Sequence, residues 1–404
     1  MSEKKFDKNS TAFEVIEGHD LTGYEIIVTG ASSGIGVETA RAFSKAGARV
    51  VLAARNMQLL ETVADEIRKT TSNDKIEIEK LELDSLKSVN EFVQRYLSKN
   101  RPLHILVNNA GVMASPFELT KDGFELQFGT NHLGHFALTL GLIPALKKGS
   151  SSSGKKSRVI SLSSLAHVIS DIDLDDPNFK NRSYDPWVSY GQSKTANILF
   201  SVALTKLYSN EGIISHSVMP GGIYTPLQRH MSEEEKVRLG VTDSQGNVNP
   251  SFKTVEQGAS TSVWAAVASE LEDKGGYYLE NCQIAELKAS REEVMVTRTG
   301  LLKLINLPKK KLSKNYTEKL NIYFDINFLW LFFLLSYNNF TIALYIVLHK
   351  SLDAQTFSYI KKKNQNKTTT DQKPTENQLK PTQAKLIEGI SSSTAMDSLL
   401  LEIY

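Results

Sequence analysis

The stretch of residues 24–36, YEIIVTGASSGIG, decides the fold that the rest of the sequence indicates. A short apolar run ends in a turn that holds Gly30, Gly34 and Gly36, and a helical pattern begins directly after it. Glycine lacks a Cβ, so it accepts positive φ and lets a diphosphate approach the backbone, while the N–H groups at a helix start attract phosphate. The stretch therefore predicts a strand, a glycine turn and a helix that bind a nucleotide. A glycine turn that serves packing alone is the alternative.

Length and composition indicate a globular protein that buries a core. The chain has 404 residues, of which 41% are hydrophobic and 23% are charged, enough for one large α/β domain with extra segments or for two domains. A formal net charge of +2 provides no basic field, so no nucleic-acid partner is indicated. The single cysteine, Cys282, excludes a disulfide within the chain and a thiolate metal cluster, and it indicates a reducing compartment.

The pattern between residue 21 and about residue 287 predicts βαβ units, because short apolar runs alternate with longer helical periodicities. The predicted strands are 25–29, 49–53, 75–83, 105–108, 158–162, 215–218 and 277–279. The predicted helices are 35–45, 57–69, 86–98, 124–148, 188–208 and 255–269. We expect an α/β fold with one doubly wound, mostly parallel, seven-stranded sheet and helices on both faces. Its ligand should lie beyond the carboxyl ends of the strands.

Two polar stretches interrupt this predicted core. Residues 149–156, GSSSSGKK, have the composition of a flexible surface loop. Residues 223–252 form a connection longer than compact βαβ units usually contain, and loops of that length often cover a ligand. We therefore expect a lid in the second stretch.

The ends of the chain differ from its middle. Residues 1–20 contain charged residues along their whole length and no apolar run of signal-peptide length. We therefore expect an N-terminal arm without a secretion signal or an anchor. The domain is expected over 21–299 and an atypical tail over 300–404, with disorder over 361–404 because its first part is rich in Thr, Gln and Asn. The uncharged run 326–348 could be a membrane anchor, a segment packed on the domain, or sequence appended by an incorrect gene model. We expect a cytoplasmic protein, or a membrane-associated one if this run is an anchor.

The residues after the second and third predicted strands bear on the cofactor. Arg55 stands where an NAD-selective site would offer a carboxylate to the ribose 2′-hydroxyl, and a planar guanidinium suits a 2′-phosphate, so NADP(H) is favoured over NAD(H). A solvated arginine at a helix start is the alternative. Asp84 could accept a hydrogen bond from an adenine amino group, or cap the next helix, and the two roles are compatible. The fourth strand ends in NNAG at 108–111, where small residues let a cofactor lie against the backbone and asparagines tie neighbouring strand ends.

The group YGQSK at 190–194 carries the predicted chemistry. Tyr190 and Lys194 are four apart in a helical pattern and project from the same face. A phenol has a pKa of about 10, and Lys194 together with an oxidised nicotinamide would lower that pKa, so the phenol could exchange a proton with an alcohol or a carbonyl. Ser163 and Ser164 end the fifth strand, where a hydroxyl could hold the substrate oxygen, and Asn131 could bind a water that extends a proton path. Taken singly, Tyr190 and Lys194 could be surface helix residues and Asn131 could merely bend its helix.

These motifs, in this order, resemble the short-chain dehydrogenase/reductase family. They are TGASSGIG at 29–36, NNAG at 108–111, Asn131, SS at 163–164 and YGQSK at 190–194, and the resemblance covers roughly residues 20–299. Within the family, the approach segment STAFEVIEGHDLTG, the LAARN after the second strand and the NHLGHF around Asn131 are similar to the oxidoreductase domain of WW-domain oxidoreductases and to retinol-dehydrogenase-like enzymes. The resemblance implies a Rossmann fold and an NADP(H)-dependent enzyme that interconverts an alcohol and a carbonyl on a retinoid, a steroid or an aldehyde-like molecule.

The resemblance also implies a role for each matching residue. Tyr190 resembles the catalytic acid/base, Lys194 its pKa-lowering and ribose-binding partner, Ser164 the substrate-orienting hydroxyl, and Asn131 the fourth member of the relay. The cofactor-binding residues implied by the motifs are Gly30, Ser32, Ser33, Gly34, Ile35, Gly36, Arg55, Asp84, Asn108, Ala110, Gly111, Tyr190, Lys194, Pro220, Gly221 and Thr225.

Some features depart from this pattern or allow another reading. The three tryptophans do not lie in an N-terminal WW module, and Met219 stands where close relatives often carry histidine. His132 and His135 have no third ligand at a suggestive spacing, so we predict that one or both hydrogen-bond in the core or at the crevice and that they bind no metal. A non-catalytic NADP-binding interaction protein on the same fold is the rival function, although the presence of all four catalytic-type residues favours the enzyme. A homo-oligomer is a possible assembly.

Overall fold

The computed structural model describes residues 5–286 of the chain. Within them, eight strands form one sheet in the spatial order 3-2-1-4-5-6-7-8, and only the eighth is antiparallel to its neighbour. The strands are β1 Glu25–Thr29, β2 Arg49–Ala54, β3 Ile76–Lys80, β4 Ile105–Asn108, β5 Ser157–Leu162, β6 Ile213–Met219, β7 Tyr278–Glu280 and β8 Gln283–Ile284. The predicted doubly wound parallel sheet is confirmed. Since the strand order reverses between β1 and β4, a crevice opens at their carboxyl ends.

Helices cover both faces of this sheet. The α-helices within residues 5–286 are α1 Ala12–Ile16, α2 Ile35–Lys45, α3 Met57–Thr71, α4 Leu86–Ser98, α5 Leu126–Phe128, α6 Gly134–Gly141, α7 Ile143–Ser153, α8 Pro186–Tyr208, α9 Glu233–Arg238 and α10 Val255–Val267. Along β1, Ile26 and Val28 pack in one apolar cluster with α1, α2, α3 and α10, whereas Ile27 packs in a second cluster with α4, α6, α7 and α8. The alternation of side chains along a strand thus builds one core on each face.

An eighth strand was not predicted from the sequence. β7 and β8 form a hairpin whose two connecting residues, Asn281 and Cys282, have φ values of 51° and 56°. Positive φ at both central positions is typical of the tight turns that join antiparallel strands. Asn281 is an ordinary residue for such a turn, but the second position usually holds glycine. Because this position holds the buried Cys282 instead, the sequence did not indicate the hairpin.

The predicted helix over 124–148 is wrong as a single element. The chain forms α5, a π-helical turn over Gly129–Leu133, α6 and α7 in succession. Pro144 lies in the first turn of α7, where its missing N–H is tolerated, so a new helix begins after Leu142. The helical periodicity of the sequence was correct, but it did not mark these breaks.

The predicted flexible loop over 149–156 is also wrong in its first part. Residues 149–153 continue α7, which ends at Gly154 with a φ of +69°. A Cβ on Gly149 would lie 2.0 Å from the carbonyl oxygen of Leu103, so this glycine packs against the chain that enters β4. Ser152 and Ser153 donate hydrogen bonds to the carbonyl of Gly149 at 2.9 and 3.0 Å. Tertiary packing therefore stabilises a helix that its composition does not favour.

The strand predicted over 75–83 is shorter in the structure. β3 ends at Lys80 because its only neighbour in the sheet, β2, ends at Ala54, which is the residue paired with Lys80. Arg95 then donates a hydrogen bond to the Lys80 carbonyl at 2.9 Å. An edge strand cannot extend its ladder beyond the strand it pairs with.

The predicted arm over 1–20 contributes to the domain. Thr11 and Glu14 form a capping box at the start of α1, and Val15 and Ile16 are buried in the same core as α10. Residues 326–348 and 361–404, on which an anchor and disorder were predicted, lie outside the described residues, and both stay predictions. No helix among residues 5–286 combines the length and apolar character that a membrane crossing requires.

Candidate active site

A cavity of about 520 Å³ opens at the carboxyl ends of the central parallel strands. Most of the residues predicted for catalysis and cofactor binding line it, although they come from many separate segments of the chain. They are Gly30, Ser32, Ser33, Gly34, Ile35, Arg55, Asp84, Ala110, Gly111, Ser164, Tyr190, Lys194, Pro220, Gly221 and Thr225. Three predicted residues, Gly36, Asn108 and Asn131, do not line this cavity.

The glycine turn after β1 lets its backbone pack closely against the backbone of Ala110. Gly30 has a φ of +67°, and a Cβ there would lie 2.7 Å from the Cα of Ala110. A Cβ on Gly36 would lie 2.5 Å from the Gly30 carbonyl oxygen, so Gly36 acts through close packing behind the cavity wall. Gly34 precedes α2, and no side chain caps this helix start. Its first N–H groups can therefore bind an anion, as a diphosphate requires.

Asp84 and Arg55 lie on the side of the cavity where a nucleotide's adenosine would be held. The Oδ1 atom of Asp84 is buried and has no hydrogen-bond partner, so it can accept one from an adenine amino group. The alternative in which Asp84 caps α4 is wrong, because the Ser85 side chain accepts the capping hydrogen bond from the N–H of Ser88 at 3.3 Å. Arg55 is exposed at the end of β2. The glycine turn and these two side chains fit a dinucleotide.

Tyr190 and Lys194 lie on α8 and are both only 4% exposed. The Nζ atom of Lys194 lies 5.3 Å from the centre of the Tyr190 ring and donates a hydrogen bond to the Leu162 carbonyl at 3.1 Å. Ser164, at the end of β5, hydrogen-bonds with the Tyr190 hydroxyl. The structure thus brings the phenol, the hydroxyl and the ammonium predicted from the sequence to one place.

Burial dominates the electrostatics of this group. It raises the pKa of Tyr190 to about 12, against the opposing effect of the hydrogen bond with Ser164. Burial also lowers the pKa of Lys194 to about 8. The same desolvation disfavours the charged form of both groups in the protein without a cofactor. The lowering of the phenol's pKa by Lys194 together with an oxidised nicotinamide concerns the cofactor-bound protein and stays a prediction. At neutral pH the phenol of Tyr190 keeps its proton.

Asn131 does not line the cavity but stabilises the residues around it through hydrogen bonds. Its Oδ1 atom accepts a hydrogen bond from the N–H of Val112 at 2.8 Å, and its Nδ2 atom donates to the Val112 carbonyl at 2.9 Å and to Ser193 Oγ at 3.0 Å. Its backbone carbonyl accepts hydrogen bonds from His135 Nδ1 at 3.0 Å and from Asn197 Nδ2 at 3.2 Å. A water on Asn131, as the sequence suggested, would compete with these donors.

Asn197 was missed by the sequence reasoning. Its Nδ2 atom donates a hydrogen bond to the Leu162 carbonyl at 3.0 Å, the same carbonyl that accepts from Lys194. Its Oδ1 atom lies 3.1 Å from Nδ1 of the buried His132. Asn197 therefore fixes the carbonyl that holds Lys194 and links it to Asn131. Its position in the apolar run ANILF, three residues after Lys194, was the available signal, because a buried amide needs partners.

His135 links Asn131 to Thr29, the residue directly before the glycine turn. Its Nδ1 faces a carbonyl, which can only accept, so Nδ1 carries the proton and Nε2 accepts from the Thr29 hydroxyl at 2.8 Å. Thr29 Oγ1 in turn accepts from the N–H groups of Asn109 at 2.9 Å and Ala110 at 3.0 Å. Burial lowers the pKa of His135 to about 3, so the ring stays neutral. The prediction that His132 and His135 hydrogen-bond in the core is confirmed.

Asn108 and Asn109 of the NNAG motif form hydrogen bonds with different parts of the fold. The Nδ2 atom of Asn109 donates to the Thr29 carbonyl at 2.7 Å and ties β4 to β1, as expected of asparagines at strand ends. Asn108 is 1% exposed, and its Nδ2 donates to Thr139 Oγ1 at 2.9 Å. The Asn108 side chain thus anchors α6 and does not line the cavity, and the predicted contact of Asn108 with the cofactor stays a prediction.

An apolar cluster around Tyr190 forms part of the cavity lining, and the segment 223–252 contributes to it. This segment contains a short 3₁₀ helix, Pro226–His230, and α9. The indole Nε1 of Trp187, at the start of α8, donates a hydrogen bond to Glu235 Oε1 at 2.7 Å and holds the segment in place. The cavity residues of this cluster include Met113, Ile169, Trp187, Leu227, Met231, Leu239, Val241 and Phe252. The lid predicted over 223–252 stays a prediction.

Replacing Asn197 with alanine is expected to lower the free energy of unfolding by about 2–4 kcal/mol, because a buried amide loses several hydrogen bonds and leaves His132 without its acceptor. Urea unfolding followed by circular dichroism measures this change. Ser201→Ala, one turn later on α8, is the control, since among residues 5–286 its buried hydroxyl bonds only to the Asn197 carbonyl, and its loss should cost about 1 kcal/mol. Equal stability losses for the two variants would contradict the bracing role of Asn197.

Comparisons with known proteins bear on the whole arrangement. A family model described as short chain dehydrogenase matches residues 25–236, which include the glycine turn, Ser164, Tyr190 and Lys194. Retinol dehydrogenase 12 of Mus musculus is 40% identical over 264 residues, which are 65% of this chain and 79% of that protein. WW domain-containing oxidoreductase of Gallus gallus is 40% identical over 287 residues, which are 69% of this chain and 66% of that protein. A solved structure of an uncharacterized protein from Mycobacterium Paratuberculosis shares 30% identity at a TM-score of 0.53, over 70% of this chain and 91% of that one.

Proposed function

The chain belongs to the short-chain dehydrogenase family, as its motifs predicted, and we propose that it is an NADP(H)-dependent oxidoreductase that interconverts an alcohol and a carbonyl group on a lipophilic small molecule. The observation that carries this proposal is the position of Tyr190 and its partner Ser164. They lie in the same cavity as the glycine turn, beside the apolar cluster to which Tyr190 belongs. A proton donor, a nucleotide site and an apolar substrate surface are the parts that such a reaction requires.

Each catalytic group has a role that follows from its surroundings. A bound nicotinamide supplies or accepts the hydride. Tyr190, protonated at neutral pH because its pKa is about 12, gives its proton to the carbonyl oxygen of the substrate during reduction and takes it back during oxidation. Ser164 hydrogen-bonds to the same oxygen and orients it. The ammonium of Lys194 stabilises the negative charge that develops on the phenol oxygen when the proton leaves.

The preference for NADP(H) is supported by the charges at the adenosine end of the cavity. Arg55 lines the cavity where an NAD-selective protein would present a carboxylate, and its guanidinium suits a phosphate. Asp84 lies at the neighbouring strand end, with an oxygen free to accept from adenine. These residues would hold the two halves of an NADP adenosine.

The proposal of a lipophilic substrate is supported by the apolar cluster around Tyr190. Trp187, Met231, Leu239 and Phe252 contribute large apolar surfaces, and burying such surface on binding is favourable. The similar protein from Mus musculus carries the name retinol dehydrogenase, which agrees with a retinoid, a steroid or a long aldehyde as substrate.

A substrate panel tests the proposal. Purified full-length protein is mixed with NADPH and with retinal, steroid ketones or long-chain aldehydes, and the loss of NADPH absorbance is followed. We expect turnover with at least one apolar carbonyl and little with short polar ones. NADPH binding without turnover on any carbonyl or on the matching alcohols with NADP⁺ would favour the non-catalytic binding protein instead.

The pH dependence of reduction should report on Lys194. We expect kcat/KM to be level near neutral pH and to fall above about pH 8, where Lys194 loses its proton and no longer stabilises the phenolate. Initial rates measured from neutral to alkaline pH check this. Lys194→Arg is the control, because a guanidinium stays charged throughout and should remove the fall even if the rate is lower. A wild-type rate that stays level to about pH 10 would contradict this role of Lys194.

A further inference from the structure

We propose that Arg229 forms, together with Arg55, a two-arginine site for the 2′-phosphate of the cofactor. This inference rests on the proposed use of NADP(H). It adds a phosphate ligand from the segment 223–252, namely Arg229, which was not among the residues expected to bind the cofactor. A single phosphate would then be held from two sides, by the end of β2 and by the segment 223–252.

The geometry brings both arginines to the same corner of the cavity. Arg55 and Arg229 both line it. Arg55 follows β2, which pairs with β1 up to the residue before the glycine turn. Arg229 belongs to the 3₁₀ helix Pro226–His230, which Thr225 caps. A Cβ placed on Gly34 would meet Thr225 Cγ2 at 3.4 Å, so this helix begins directly against the glycine turn.

The charges at this corner are unbalanced. Neither Arg55 nor Arg229 forms an ion pair with any residue between 5 and 286, and Arg229 Nη1 donates its hydrogen bond to the Pro226 carbonyl at 3.1 Å. Burial lowers the pKa of Arg229 first, and the positive charge of Arg55 lowers it further, so the two guanidinium groups are close enough to repel each other. Lys121, which also lies near Arg55, is instead paired with Glu82.

An anion between the two arginines would remove this repulsion. A phosphate accepts hydrogen bonds from several guanidinium donors at once, and such charge-assisted bonds are the strong ones. The neighbouring glycine turn and the unpartnered oxygen of Asp84 place the adenosine end of a dinucleotide at this corner. The anion that fits here is therefore the ribose 2′-phosphate.

The test measures NADPH and NADH affinity of the full-length protein by nicotinamide fluorescence. Arg229→Gln is expected to weaken NADPH binding by about tenfold or more and to leave NADH binding nearly unchanged, since only NADPH carries the 2′-phosphate. Arg238→Gln is the matched control. It removes the same charge from the same segment, but Arg238 pairs with Glu235 and does not line the cavity, so both affinities should stay at the wild-type values.

A double-variant cycle tests whether the two arginines hold one group. If Arg55→Gln and Arg229→Gln act on the same phosphate, the combined loss of NADPH affinity should differ clearly from the product of the single losses. The inference is overturned if Arg229→Gln leaves NADPH affinity unchanged, or weakens NADPH and NADH equally. A wild-type protein that binds both cofactors equally well would overturn the NADP(H) proposal together with this inference. Wild-type preference for NADPH with a silent Arg229→Gln would overturn this inference alone.

Discussion

Replacing Tyr190 with phenylalanine is expected to lower turnover by about a hundredfold or more, which is the usual effect of losing a general acid/base. The variant keeps the ring, its packing on α8 and its place in the cavity, and deletes only the oxygen that carries the proton. NADPH affinity should barely change, because the glycine turn and the arginine side of the cavity are untouched. Initial rates on the substrate found in the panel, together with NADPH fluorescence titration, measure the two effects.

Tyr184→Phe provides a matched control for this variant. Burial raises the pKa of Tyr184 to about 12 as well, and its hydroxyl bonds to Glu125, Gln127 and Ser115, but it does not line the cavity. Both variants lose a hydrogen-bonded hydroxyl, so both should lose some stability, and only Tyr190→Phe should lose turnover. Full activity of the Tyr190→Phe protein would refute the assigned chemistry and would favour the binding protein without catalysis.

Lys194→Ala should behave differently from Tyr190→Phe. It removes the ammonium that stabilises the phenolate and also the group that the family resemblance assigns to the cofactor ribose. We therefore expect lower turnover together with weaker cofactor binding, whereas the tyrosine variant separates the two properties. This contrast assigns the proton transfer to Tyr190 and the charge to Lys194.

Much of the fold could be predicted because local sequence and tertiary structure agree there. The apolar runs of β1 and β4 are fully buried between two helical layers, and glycine or asparagine residues end them, so their limits were predicted correctly. The serine-rich end of α7 could not be predicted in this way. Its helix depends on the contact of Gly149 with Leu103, which only the folded chain brings together.

The residues of the site likewise fall into those that local sequence predicts and those whose role depends on tertiary contacts. Tyr190, Lys194 and Ser164 lie in short motifs whose spacing reflects strand ends and helix turns, so the sequence brings them to the cavity. Asn197 acts through the carbonyl of Leu162, and its role depends on which backbone group faces it across two elements. A polar residue within an apolar helical run indicates only that partners exist.

The electrostatics of the site also depend on packing. From the sequence, Lys194 together with an oxidised nicotinamide is expected to lower the pKa of the phenol, and this stays a prediction for the cofactor-bound protein. The structure buries both side chains almost completely, and the loss of solvation raises the pKa of Tyr190 to about 12 in the protein without a cofactor. Exposure is a property of the packed molecule that the spacing of residues does not contain. The raised pKa favours the protonated phenol, which is the form that carbonyl reduction uses.

Replacing Arg55 with aspartate is expected to invert the preference between NADPH and NADH, a change in the ratio of their specificity constants on the order of a hundredfold. The variant removes charge-assisted donors to the 2′-phosphate, repels that phosphate, and offers a carboxylate to the free 2′-hydroxyl of NADH. Arg55 is exposed at the end of β2 and makes no ion pair within residues 5–286, so folding should be unaffected.

Arg55→Gln separates the two halves of this effect. It removes the charge but adds no acceptor of full negative charge, so NADPH should bind more weakly while NADH gains little. Steady-state rates with each cofactor at a fixed substrate concentration give the ratio, and thermal unfolding of each variant verifies that the fold is intact. A ratio that stays at the wild-type value in Arg55→Asp would mean that Arg55 is a solvated residue at the start of α3. The 2′-phosphate would then have to be bound by other residues, and the proposed pairing of Arg55 with Arg229 would be excluded as well.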